Sequence, residues 1–206
     1  MVSGTGTVLR ALLAEKVPIS IVIADRECPA RAIAAEAGVT FEIVDRAQYR
    51  MDNGSFDRWA FTNAIIDAID PHRPLLIVMA GFMTILDEAM FDRWPQQVLN
   101  THPSLLPFFS GGHAVEETLA AGATESGCTI HIATATVDAG PILAQEVVPV
   151  FADDTADILH ERIKEVERVL YPRTVLAYAS ALIKQALATP ISDIEAAIAE
   201  SKEFTK

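Results

Sequence analysis

The chain has 206 residues, half of them hydrophobic and 21% charged, and carries a formal net charge of −12. That length can bury a full core and fits a single domain, while no apolar run approaches the roughly 18 residues of a membrane span and no basic-then-apolar leader opens the chain. The negative charge repels polyanions, which argues against nucleic acid as a ligand and leaves any phosphate to be held locally, by backbone amides or a few placed cations.

The chain opens on a glycine turn, Ser3-Gly4-Thr5-Gly6-Thr7. Such a turn normally follows a complete buried strand, yet only Met1 and Val2 precede it, so the central strand reads as truncated. Short β-branched runs at 19–24, 40–44, 75–80 and 97–100 predict strands, and 7–16, 30–37, 56–69 and 86–94 read as the helices between them. This alternation predicts an α/β fold: a doubly wound, Rossmann-like, mostly parallel sheet with helices on both faces.

Past a loop at 101–113, interrupted by Pro103, Pro107, Gly111 and Gly112, the pattern changes. Residues 128–133 alternate strictly, with Ile130 and Ile132 on one face and Thr129 and His131 on the other, and 142–150 reads as the antiparallel partner. Leu159, Ile163, Val166 and Leu170 then recur at helical spacing, predicting a long helix over 155–184 that Pro172 should kink or break. An acidic tail, amphipathic over 189–206, closes the chain.

Three segments carry candidate chemistry. The glycine turn opens a helix, whose first N–H groups bind phosphate without a basic side chain, although a turn of this kind is also often only a tight connection. It lacks the third glycine of the dinucleotide fingerprint, so a nicotinamide cofactor is not expected. At the carboxyl end of the fourth strand, in Asn100-Thr101-His102-Pro103, residues i and i+2 project together, and Pro103 keeps His102 extended. Asn offers an amide donor to a developing oxyanion and His exchanges a proton near neutral pH, the two functions needed to transfer an acyl group to an amine. In isolation Asn-x-His more often orders a loop.

Asp138, in a turn between two strands, would orient His102 if the fold brought it close. The segment Ala80-Gly81-Phe82-Met83 ends another strand and offers apolar side chains and backbone groups to a flat ligand, or simply packs in the core. His113 on the glycine-rich loop and His131 are further candidates, as is Thr129; for His131 exposure is the simpler reading. Cys28 and Cys128 match no metal or redox spacing, and no HExxH or histidine cluster indicates a metal.

Taken together, Ser3-Gly-Thr-Gly-Thr7, Ala80-Gly-Phe-Met83, Asn100-Thr-His-Pro-Ser-Leu-Leu-Pro107, Asp138-Ala-Gly-Pro141 and Glu167-Arg-Val-Leu-Tyr-Pro172 stand in the order and approximate spacing of the phosphoribosylglycinamide formyltransferases. The sequence resembles that family over about residues 1–177. The resemblance implies formyl transfer from 10-formyltetrahydrofolate to 5-phosphoribosylglycinamide, in purine biosynthesis, by a cytoplasmic enzyme that needs no metal. It implies a formyltransferase domain over 1–187, with a nucleotide-binding half over about 1–100 and a folate and catalytic half over about 100–187, before the tail at 188–206.

The same resemblance implies roles. His102 is the general acid/base, Asn100 polarises the formyl carbonyl, and Asp138 orients His102. Gly6, Thr7 and Val8 contact the phosphate through backbone, and Glu167 lies near the ribose. Arg58, Met83, Thr84, Ile85, Leu86 and Asn100 contact the folate. The partners implied are these two small molecules, with neither nucleic acid nor membrane; a homodimer is compatible with the sequence.

The sequence departs from the family at Thr5 and Val8, where many relatives carry Asn, and at Phe108-Phe109-Ser110-Gly111-Gly112, which borders the expected phosphate site. Two alternatives remain at this level. One keeps the fold and changes the acceptor, as in methionyl-tRNA formyltransferases and formylfolate hydrolases, which carry additional domains that 206 residues do not accommodate. The other is a non-catalytic folate- or nucleotide-binding module.

Overall fold

A computed structural model describes residues 1–188, so the expected tail over 189–206 lies outside the described residues. Met1–Val175 forms one compact unit, and the described residues from Leu176 onward fall outside it. Two parallel strands, β1 (Ile21–Ala24) and β2 (Thr40–Ile43), make one sheet. Four more make another, in the order β3 (Ile77–Met79), β4 (Val98–His102), β5 (Glu125–Ile132), β6 (Ile142–Pro149). The β3–β4 pair is parallel and the last two pairs are antiparallel.

The short segment before the glycine turn lies between the two sheets and joins them. Val2 bridges Ala24 in parallel, and its N–H donates to the Ile23 carbonyl at 2.9 Å. On the other side Ala80 N–H donates to the Met1 carbonyl at 2.8 Å, and the Met1 amino group donates to the Val78 carbonyl at 2.6 Å. Met1 and Val2 therefore occupy the central position between β1 and β3. Two residues are too few for a ladder, but they fill the slot and set the turn that follows at the carboxyl edge of the sheet.

Helices α1 (Thr7–Ala14), α2 (Ala30–Glu36), α3 (Arg58–Ile69) and α4 (Glu88–Arg93) connect the first half in the predicted order. Helix α1 starts at Gly6, whose φ of 76° places it in the left-handed region. A Cβ there would come within 2.7 Å of Ile33 Cδ1 and 3.0 Å of Ala30, so glycine is needed both for the turn and for the approach of α2. The Asp57 and Asp87 carboxylates cap α3 and α4 by accepting from the Ala60 and Ala89 amides. From α3, Phe61, Ile65, Ile66 and Ile69 pack with Ile77, Val98, Met90 and Trp94 into the main apolar cluster.

The second half corrects three sequence expectations. Helix α5 (Ala114–Ala120), which the loop-like composition hides, follows the 101–113 loop. Strand β5 starts at Glu125, three residues before the strict alternation, and all of Ser126–Ile132 is buried. Its alternation does not separate a core face from a wet one, so His131, expected to be exposed, is 1% exposed. Finally, α6 (Ala156–Ala188) runs through Pro172 without a break. Pro172 and its neighbour Tyr171 are buried, and the Tyr171 hydroxyl donates to the Leu99 carbonyl at 2.8 Å, so tertiary packing holds the helix where the missing N–H weakens it.

Candidate active site

The carboxyl ends of β3 and β4, the glycine turn, the loop before α5 and one face of α6 enclose a cavity of about 540 Å³. A crevice outside the carboxyl ends of parallel strands is where open α/β sheets bind their ligands. Asn100 and His102 both line it, as their i, i+2 relation on β4 requires. The antiparallel register places His131 opposite Asn100 and Thr129 opposite His102.

Four polar groups meet there. His102 Nδ1 lies 3.2 Å from Asp138 Oδ2, and Asp138 Oδ1 is 3.6 Å from His131 Nε2. Asn100 Nδ2 is 3.2 Å from His131 Nε2, and His131 Nδ1 faces the Ile132 carbonyl at 3.1 Å. Burial pulls the His131 pKa below its ordinary value, against the opposing pull of the Ile132 carbonyl and the Asp138 charge. The neutral tautomer with its proton on Nδ1 donates to Ile132 and leaves Nε2 to accept from the Asn100 amide, which fixes that amide's rotamer.

His102 is held from both sides. Its Nε2 donates to the Phe109 carbonyl at 2.8 Å and its Nδ1 faces the Asp138 carboxylate, so both ring nitrogens meet oxygen acceptors. Asp138 also accepts from Gly111 N–H at 2.8 Å, which ties the loop before α5 to the β5–β6 turn. Asp138 (φ 56°) and Phe109 (φ 52°) both adopt left-handed backbone conformations, unusual outside glycine, at the two contacts that clamp the imidazole.

The remaining expected residues divide. Gly6, Thr7 and Val8 line the cavity at the start of α1, where amides lack helical partners, and Glu167 faces it from α6. Burial raises the Glu167 pKa, opposed by a hydrogen bond from Thr101. Met83, Thr84, Ile85 and Leu86 form another wall, with Met83 69% and Ile85 50% exposed and Leu86 buried. The Thr84 hydroxyl is already engaged, donating to Asp25 Oδ2 at 2.7 Å. Burial alone would raise the Asp25 carboxyl, but hydrogen bonds from Arg26, Thr84 and Ser3 hold it below its ordinary value. Asp25 thereby braces the glycine turn against the Met83–Leu86 wall.

Three expected residues lie elsewhere. Arg58 is exposed at the first position of α3, outside the cavity, and His113 is exposed at the N-cap of α5. Thr129 is fully buried, donates to the Ser104 carbonyl and accepts from Leu106 N–H and Gln145 Nε2. It shapes the loop after His102 without facing the cavity. Conversely, His131, a candidate whose simpler reading was exposure, does line the cavity, and His160 and Lys164 line it without having been expected there. A signal for the last two was present: they precede Glu167 by seven and three residues and so share its helical face. Among the described residues, no group of three or more His, Cys, Asp or Glu could hold a metal ion, and no helix is long and apolar enough to cross a membrane.

A Rossmann-like sheet that presents an amide donor and an aspartate-oriented imidazole at its carboxyl edge defines a protein built for acid/base chemistry at a polarised carbonyl. The chain belongs to the formyl transferase family, whose pattern matches residues 1–175. It is 45% identical over 185 residues to the phosphoribosylglycinamide formyltransferase of Mycobacterium tuberculosis strain H37Rv, covering 87% of this chain and 83% of that protein. Its fold superposes on glycinamide ribonucleotide transformylase 1 from Symbiobacterium toebii with a TM-score of 0.80 at 34% identity, covering 87% of this chain and 85% of the other. The phosphoribosylglycinamide formyltransferase of Anaplasma phagocytophilum gives 0.78 at 36% identity, with the same coverage.

Proposed function

We propose that this enzyme transfers the formyl group of 10-formyltetrahydrofolate to the amine of 5-phosphoribosylglycinamide, a step of purine biosynthesis in the cytoplasm. The observation that carries the reading is the clamp of Asp138 on His102 Nδ1 beside the Asn100 amide, in a cavity that the amino terminus of α1 also lines.

The 5-phosphate binds to the first amides of α1 at Gly6, Thr7 and Val8, where the helix dipole favours an anion, with the Lys164 ammonium beside it. Glu167 accepts from the ribose hydroxyls. The folate lies against Met83–Leu86, its ring on the apolar wall and its polar edge on backbone groups. Arg58 and His113 are exposed and take no part in the chemistry; Arg58 is left to meet the folate's carboxylate end in solvent.

The amine lone pair attacks the formyl carbon, and the carbonyl electrons move onto oxygen. The second N–H of Asn100 and His102 Nε2–H stabilise that oxyanion, the formyl oxygen taking the place of the Phe109 carbonyl at Nε2. A proton leaves the attacking amine and one reaches folate N10 through His102. The carbon–N10 bond then breaks, giving formylglycinamide ribonucleotide and tetrahydrofolate. Atoms and charge balance without ATP or metal. Asp138 keeps the ring oriented throughout.

The direct test is transfer by purified protein, followed by the absorbance change as 10-formyltetrahydrofolate is consumed. Turnover dependent on the ribonucleotide supports the reading; saturable folate binding without transfer sinks it.

A further inference from the structure

Helix α6 presents Asp157, His160, Ile163, Lys164 and Glu167 to the cavity along a single face. With a rise of about 1.5 Å per residue, His160 lies about 10 Å along the axis from Glu167, and Lys164 falls between them. Glu167 is the inner end, close to Thr101 on β4. His160 is the outer end, on the same cavity as the amides that open α1. Lys164 and His160 thus share one cavity with Glu167 and with the α1 amides, within which a ribonucleotide that meets Glu167 through its ribose has to place its phosphate.

The charge balance at that end is unfavourable for a dianion. Among the described residues lining the cavity, Lys164 is the sole Lys or Arg, and Glu161 already engages its ammonium at 2.8 Å. Glu116 from α5 and Asp157 from α6 also line the wall and repel a phosphate. The protein carries a net charge of −12, so no general positive field compensates. Apart from His102 and His131, which are engaged beside Asp138, the half-buried His160 imidazole is the remaining lining side chain that can take up positive charge.

We propose that His160 is an ionisable phosphate-binding group, neutral in the free enzyme, that takes a proton from solvent when the dianionic 5-phosphate enters and then donates a charge-assisted hydrogen bond to it. The inference rests on the ribonucleotide being the substrate. The groups that face the ring are Lys164, which disfavours its charge, and Glu161, Glu116 and Asp157, which favour it; burial outweighs the carboxylates and keeps the pKa below its ordinary value. A bound dianion reverses that balance: it removes the ring from water, which alone would disfavour the charge, but it supplies two negative charges at the ring, which favour the imidazolium more strongly.

The test is calorimetric titration of 5-phosphoribosylglycinamide into the folate-free enzyme at pH 7, in two buffers of different ionisation enthalpy. Wild type is expected to take up protons in excess of those the ligand's own phosphate acquires. His160→Gln should abolish that excess and raise Kd by about tenfold, the value of one charge-assisted hydrogen bond. His160→Lys should recover affinity without the uptake, which separates lost charge from disturbed packing. Equal Kd and equal uptake in wild type and His160→Gln, with the wild type active, overturn the His160 assignment alone. A wild type that does not bind the ribonucleotide overturns both this inference and the substrate reading beneath it.

Discussion

Asp138 Oδ2 stands 3.2 Å from His102 Nδ1 and 2.8 Å from the Gly111 amide, so one carboxylate fixes both the imidazole and the loop that passes over it. Asp138→Asn preserves the shape and the Gly111 hydrogen bond but removes the charge. It should lower kcat about 10²- to 10⁴-fold, the range of a disabled acid/base, with an unchanged far-ultraviolet spectrum. Retention of full kcat would mean that His102 needs no carboxylate and would redirect the search for the proton carrier.

Asn100 sits between His131 and the cavity. Truncation to Ala removes the proposed oxyanion donor and leaves His131 Nε2 without the Asn100 amide. Steady-state kinetics should show kcat lowered by about 10²- to 10³-fold, with a smaller change in KM for folate, because the interaction strengthens only as charge develops. An effect confined to KM would place Asn100 in ground-state binding.

The Asn100–His102 pair and the strand that carries it were legible because two neighbours in sequence are two neighbours in space. The Asp138 contact was legible only through family resemblance, since nothing local announces that a turn 36 residues later folds back onto His102. His131 was misjudged for a physical reason: alternation marks exposure only where one face of a strand is wet, and β5 is covered on both faces. Pro172 likewise signals a break that the buried Tyr171 and its neighbours override. The two-residue central strand was recognised as short, but its hydrogen bonds to both β1 and β3 needed coordinates.

The histidine environment predicts a pH dependence of stability. Burial keeps the His131 pKa below 6.5, so as pH falls from neutrality the unfolded chain binds a proton before the folded one does. Its contribution is complete above pH 6.5 and is lost progressively as pH drops from 6.5 toward the folded value. His160 acts in the same sense, whereas Glu167, whose pKa is raised above 4.5, loses its contribution as pH climbs from 4.5 toward its folded value. Urea denaturation of wild type and His131→Asn between pH 5 and 8 isolates the histidine: the stability difference between them should shrink toward acid pH. A difference that stays constant would show that His131 does not titrate between the two states.

Gly140 fixes where Asp138 stands. A Cβ added at Gly140 would overlap the Ile132 carbonyl oxygen and approach Thr134 Cγ2 at 3.1 Å. Ile132 N–H in turn donates to the Pro141 carbonyl at 2.9 Å, so the Asp138–Pro141 turn lies flat against β5. Gly140→Ala has to lift that turn, carrying Asp138 away from His102 Nδ1 and opening its contact with Gly111. The expected cost is about 1 to 3 kcal/mol in stability, as for other overpacked sites, measured by denaturant titration. Activity should fall further than stability explains: kcat drops at a temperature where the variant is still fully folded, because a displacement of about 1 Å at a catalytic contact costs on the order of 100-fold. Destabilisation with kcat intact would show that the turn relaxes without moving Asp138, and that the close approach of Gly140 to Ile132 serves packing alone.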